Sequence, residues 1–246
     1  MGGRCTKKRS SPARGLLLLV DYCPFIYFLR FFWSLFDQTA TSWVIQAQSD
    51  LMVKTVDLGF FQFEFLPSQI GFVNPLFVLL FIPLFTYIIY PRLGKIMPLT
   101  YFNKMSLGFS FAVLSFALVA WVQVQMDNGH SMSFLYQIAA FVLLTCAEIL
   151  ISITSLEFSY TQAPKVLKSF ILSFWLLAVA FGNGFTALIN GLIAETSLNK
   201  YIQNGEAEYF LFFTALMALG SIGFYIVNRN YKQTMILQEA SDYEVE

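Results

Sequence analysis

Six stretches of this sequence are each long and apolar enough to cross a bilayer, and that feature leaves few folds open. A spanning helix needs about 20 mostly apolar residues. The stretches cover 24–46, 71–90, 106–126, 133–158, 166–193 and 208–228. Inside hydrocarbon every backbone amide must find a partner within its own segment, so each stretch reads as a helix. Of 246 residues, 57% are hydrophobic and 12% charged, with 28 Phe. A soluble domain carries about 25% charged residues. The predicted class is therefore an all-α membrane protein with six transmembrane helices in a lipid bilayer.

The breaks between stretches are polar or carry helix breakers, among them "YPRLGKIMP", "MDNGHS" and "TQAPKVLK", where Pro164 cannot continue a helix. Lysine and arginine are distributed unevenly among these breaks. With both termini cytoplasmic, the inner segments hold Arg4, Lys7, Lys8, Arg9, Arg14, Arg92, Lys95, Lys104, Lys165, Lys168, Arg229 and Lys232. The outer segments hold only Lys54 and Lys200, and Arg30 lies in the first stretch. That asymmetry predicts both termini inside. The opening "MGGRCTKKRSSPARGLLLLVDYC" is basic and then apolar, but its apolar run at 16–20 is short and no small-residue cleavage site follows. It reads as an uncleaved cytoplasmic segment over 1–23, with the bundle over 24–232 and an acidic cytoplasmic tail over 233–246.

Several function classes are excluded early. The net charge is +0, so no basic excess favours nucleic acid. Cys5, Cys23 and Cys146 lack metal or redox spacing. No phosphate loop, metal cluster or nucleophile triad occurs, so neither an enzyme, a cofactor nor a metal site is expected. His130 beside Asp127 in a short loop reads as solvated.

The informative residues are the polar ones inside the apolar runs. Glu148 sits near the middle of the fourth stretch. Steps of three and four place Thr145, Glu148, Ser152, Ser155, Ser159 and Gln162 on one helical face. A carboxylate at the bilayer centre costs at least ~2.5 kcal/mol. It must meet a cation, a substrate amine or a proton; the alternative is a neutral Glu hydrogen-bonded between two helices. In the first stretch Trp33, Asp37 and Thr41 share a face. Arg30 is seven residues from Asp37, about 10 Å along a helix, so Asp37 needs a partner from elsewhere. Asn74 precedes Pro75, and Pro83 predicts a kink; Asn74 is either a cap or a cavity residue. Trp175 lies a third of the way into the fifth stretch, ahead of Gly182, Asn183 and Gly184, and reads as a cavity residue or a packing contact.

Three blocks, "FFWSLFDQTATSWVIQAQ", "NPLFVLLFIPLFTYIIYP" and "AEILISITSLEFSYTQAPKVLKSFILSFWLL", closely resemble the C-terminal half of the proton-dependent oligopeptide transporters, a family of the major facilitator superfamily. The resemblance runs from about Pro24 to Lys232. It implies one six-helix bundle of that fold, family helices seven to twelve. It implies that Glu148 meets the amino terminus of a di- or tripeptide and responds to protons, the coupling ion, and that Asn74 helps hold the same end. It implies that Trp33 and Trp175 line side-chain pockets, with Ser152 on the same polar face. It implies that Asp37 pairs across the bundles as an outer gate. The partners are then di- and tripeptides, protons and an N-terminal six-helix bundle. The location is a multi-pass position in the plasma membrane, taken as the bacterial inner membrane. Four departures stand out. No position matches the proton-coupling E-x-x-E-R motif of the first bundle. Ala40 stands where many relatives have Gly, and Arg30 where relatives are apolar or Pro. Residues 1–23 resemble nothing in the family and read as an accidental start. The competing reading is a non-transporting remnant or membrane interaction subunit; an intramembrane enzyme using Asp37 and Glu148 has no protease signature to support it.

Overall fold

The computed structural model describes residues 27–57, 62–162, 168–195 and 206–230. The segment 1–23, the tail 233–246 and Pro164 lie outside the described residues. Five helical rods are long and apolar enough to cross a membrane: Gly71–Leu93, Tyr101–Asp127, Phe134–Thr161, Leu172–Glu195 and Ala207–Arg229. They match five of the six expected stretches.

The sixth, at the start, is helical but not one rod. Helix α1 is described over 27–36, a 3-10 turn spans Asp37–Ala40, and α2 resumes over Ser42–Gln48. The hydroxyls of Ser34, Thr39 and Thr41 bond to carbonyls three residues back, at 2.9, 2.8 and 3.4 Å, and the Gln38 amide donates to the Ser34 carbonyl at 3.1 Å. Such back-bonding offers the backbone an alternative to the regular ladder. A hydropathy reading over 24–46 does not register it.

Two further rods contain a widened, π-helical turn. Helix α3 (Ile70–Leu84) passes through the π turn Phe85–Ile89 into the short α4 (Tyr90–Leu93). Pro83 lacks the amide that would close the preceding turn, which accounts for the irregularity two residues later. Helix α6 (Phe134–Glu148) passes through the π turn Ile149–Ile153 into α7 (Thr154–Gln162). The two widened turns meet: Phe85 packs with Ile149 and Leu150 in a small apolar cluster apart from the main core. Helices α5 (Tyr101–Asp127), α8 (Lys168–Glu195) and α9 (Ala207–Asn230) complete the bundle.

The core lies where α5 meets α6 and α9. Phe224 of α9 packs at a tilt against Phe109 of α5 at 4.8 Å and meets Phe28 of α1 at 5.7 Å. Trp43 of α2 is fully buried against Phe141 of α6 at 4.6 Å and Phe116 of α5 at 5.4 Å. Gly108 admits the π turn of the neighbouring rod: a Cβ there would sit 2.7 Å from Ile151. Helix α3 is at the other extreme, with Phe72 and Leu79 well exposed, as is Tyr87 in the π turn that follows. Four short strands occupy segments that the sequence left between the apolar stretches, apart from Ser133, which it placed at the start of the fourth. β1 (Met52–Val53) pairs in parallel with β4 (Met132–Ser133), and β2 (Thr55–Asp57) pairs antiparallel with β3 (Gln62–Glu64).

Candidate functional site

Asn74 lies inside α3, whose N-cap is Gln69, so the reading of Asn74 as a helix cap fails. Its side chain instead crosses to α6. The Asn74 amide nitrogen donates to Glu148 Oε2 at 3.0 Å. The Asn74 carbonyl oxygen accepts from the Thr145 hydroxyl at 2.7 Å, and that hydroxyl also reaches the Phe141 carbonyl at 2.8 Å. Thr145 therefore fixes which end of the amide faces the carboxylate. Glu148 is half-buried, and one carboxylate oxygen is occupied by Asn74.

The second group lies further along the same rod. Trp175 of α8 donates its indole N–H to Ser155 Oγ at 2.9 Å, and Ser155 donates to the Ser152 carbonyl at 2.9 Å. Trp33 of α1 meets Trp175 edge to face, with ring centres 5.7 Å apart and planes at 85°. The indole N–H of Trp33 and the hydroxyl of Ser152 are buried without a hydrogen-bond partner. Gly182 makes the approach of α8 to α1 possible: a Cβ there would stand 2.7 Å from the Arg30 carbonyl and 2.9 Å from the Ser34 amide. Thr186 Oγ1 then donates to the Ser34 carbonyl at 2.6 Å.

The predicted single polar face of the fourth rod is thus divided. Thr145 and Glu148 face α3, whereas Ser155 faces α8. The π turn between them holds one residue more than a regular turn, which rotates everything beyond it by about 100°. Gln162, the last member of the predicted face, has a side chain outside the described residues. Asp37 is exposed in its 3-10 turn, where the Asn183 side chain of α8 is its polar neighbour. Among the described residues no cluster of His, Cys, Asp or Glu can hold a metal ion.

Sequence reasoning missed a second polar system. Gln46, Gln123 and Gln137 are buried between α2, α5 and α6. Gln46 donates to Gln123 Oε1 at 3.0 Å and to the Val119 carbonyl at 3.1 Å. Gln137 donates to the Trp43 carbonyl at 2.7 Å and to Gln46 Oε1 at 3.3 Å. Gln123 donates to Asp127 at 2.8 Å, and Asp127 accepts the Ala207 amide at the start of α9 at 3.2 Å. The signal was available: each glutamine interrupts an apolar run, as Glu148 does.

Comparisons with known proteins agree with this architecture. A family model described as the POT family matches residues 3–205, and so takes in most of the opening segment that the sequence reading set apart. Peptide transporter PTR2 of Saccharomyces cerevisiae is 28% identical over 237 residues, which is 91% of this chain and 36% of that protein. Peptide transporter 3 of Caenorhabditis elegans is 37% identical over 124 residues, 50% of this chain and 16% of that protein. A crystal structure of an auto-inhibited POT family peptide transporter superposes with a TM-score of 0.73 at 33% identity, covering 85% of this chain and 40% of the other. The POT family transporter PepTSo gives a TM-score of 0.71 at 36% identity, covering 84% and 40%. The chain therefore spans about two fifths or less of the length of these relatives.

Proposed function

This chain belongs to the POT family, a family of transporters and not of enzymes, and from that premise we propose that it forms the C-terminal six-helix half of a proton-coupled di- and tripeptide symporter. In this reading Glu148 holds the peptide's ammonium group. The observation that carries it is the Asn74 contact. With Oε2 engaged at 3.0 Å by a neutral donor, the carboxylate is oriented and its other oxygen is left for a charged donor, the stronger kind of hydrogen bond. Trp33 and Trp175 form an aromatic wall for peptide side chains, and the unpartnered Ser152 hydroxyl supplies a further polar contact. Asp37, exposed beside Asn183, is the gate residue that meets a cation of the first bundle.

In this reading an N-terminal bundle supplies the groups for the peptide carboxylate, and the two bundles rock around the shared site. A proton arriving at Glu148 neutralises it and releases the ammonium; loss of that proton restores the site. The lysine and arginine distribution supports both termini in the cytoplasm. The test is uptake of a labelled dipeptide into vesicles that carry this chain together with the first bundle of a relative. Uptake is expected only with both halves, and Glu148→Gln abolishes it. Uptake that survives Glu148→Gln refutes the role given to this residue.

A further inference from the structure

A groove of ≈ 510 Å³ runs between α1, α8 and α9, apart from the Asn74–Glu148 pair and the tryptophan contact. Its walls are Phe31 of α1, Phe181, Gly184 and Leu188 of α8, and Leu216 of α9. Arg30 supplies the one charged group in this lining. The guanidinium carbon lies 3.5 Å from the centre of the Tyr27 ring and 5.7 Å from that of Phe31, so it is turned back along α1 at one end of the groove. Among the described residues the one ion pair joins Lys104 to Glu157, so Arg30 has no carboxylate partner there.

A cation within a membrane-spanning segment is costly without an anion. The aromatic faces of Tyr27 and Phe31 offset part of that cost, but among the described residues the planar fork of N–H donors has no oxygen acceptor, and that fork suits phosphate. From Phe181 to Leu188 the apolar wall extends about 10 Å along α8. A ligand that fits therefore has an anion at one end and a hydrocarbon chain for the rest. A zwitterionic headgroup would bring an ammonium into a lining that holds no anion. We propose that this groove is a binding site for one anionic phospholipid, with its phosphate on Arg30 and an acyl chain along Phe181, Gly184 and Leu188.

The site rests only on the chain's being a membrane protein, so its test is independent of peptide binding. The full chain, purified in mild detergent, is titrated with dioleoyl phosphatidylglycerol or dioleoyl phosphatidylcholine and followed by native mass spectrometry. The anionic phosphatidylglycerol is expected to be retained about tenfold more tightly, the gain from one charge-assisted contact. Arg30→Gln removes that preference and Arg30→Lys keeps part of it. A Cβ at Gly184 meets nothing within 4 Å, so a side chain can begin there, and Gly184→Leu is expected to fill the groove and lower retention while Arg30 remains. Equal retention of the two lipids, which is annular lipid only, overturns the proposal. A preference that survives Arg30→Gln overturns it too, as does a groove that a co-expressed first bundle closes to lipid.

Discussion

The polar group around Glu148 and the polar group around Gln137 occupy the same helix, α6, yet they are satisfied in opposite ways. The glutamines are neutral, and each amide donates as well as accepts, so Gln46, Gln123 and Gln137 saturate one another and the nearby carbonyls. Gln137 Oε1 is the one oxygen of the three left buried and unpaired. Glu148 when ionised only accepts. Its neighbours Asn74 and Thr145 are neutral, and neither cancels its charge. The glutamine network also ends on a carboxylate, but Asp127 accepts at both oxygens, from Gln123 and the Ala207 amide, and such a network holds helices together. Glu148 is met at one oxygen, by Asn74, and under the proposed function the other awaits the peptide ammonium. The proposed function turns on this difference within one rod.

The sharpest way to break this distinction is to exchange the charge alone. In the chain paired with a first bundle, Glu148→Gln lowers dipeptide affinity roughly 30-fold or more. Calorimetric titration reads the loss, while the melting temperature stays close to that of the native chain. The converse is Gln137→Leu, which strands two buried acceptors, the Trp43 carbonyl and Gln46 Oε1, and costs about 1–3 kcal/mol of stability. Thermal unfolding in detergent should then shift down by several degrees, with dipeptide affinity unchanged. If the two variants swapped phenotypes, the assignment would be reversed. Gly182→Ala tests the scaffold under the tryptophan pair: the added methyl meets backbone at 2.7 Å and should cost about 1–3 kcal/mol, again read by unfolding. Asn74→Ala sharpens the contrast within the site. It leaves the charge but frees its orientation, and we expect roughly a threefold loss of dipeptide affinity. Thr145→Val, which removes only the hydroxyl that orients Asn74, should be the mildest, on the order of twofold.

The spans were legible because hydrocarbon imposes length and apolarity on every crossing helix. Glu148 was legible as a charge in the wrong solvent, and the resemblance supplied Asn74 as its companion. What hydropathy could not carry was direction. Whether Asn74 capped α3 or reached across to α6 depends on packing between segments 74 residues apart. The break at Asp37–Ala40 comes from short hydroxyl bonds that a helical wheel ignores. The split polar face of α6 and α7 was misread because the wheel assumed 3.6 residues per turn straight through Ile149–Ile153.

That widened turn has a genetic consequence. Loss of a single codon within Ile149–Ile153 would leave the reading frame, the composition and the apparent hydropathy of the segment intact. It would nonetheless swing Ser155 and everything after it about a quarter-turn back toward α3, taking the hydroxyl away from the indole of Trp175. The opposing rod carries its own extra residue at Phe85–Ile89, packed against the first. A shift of either turn would therefore be felt by the other through that cluster.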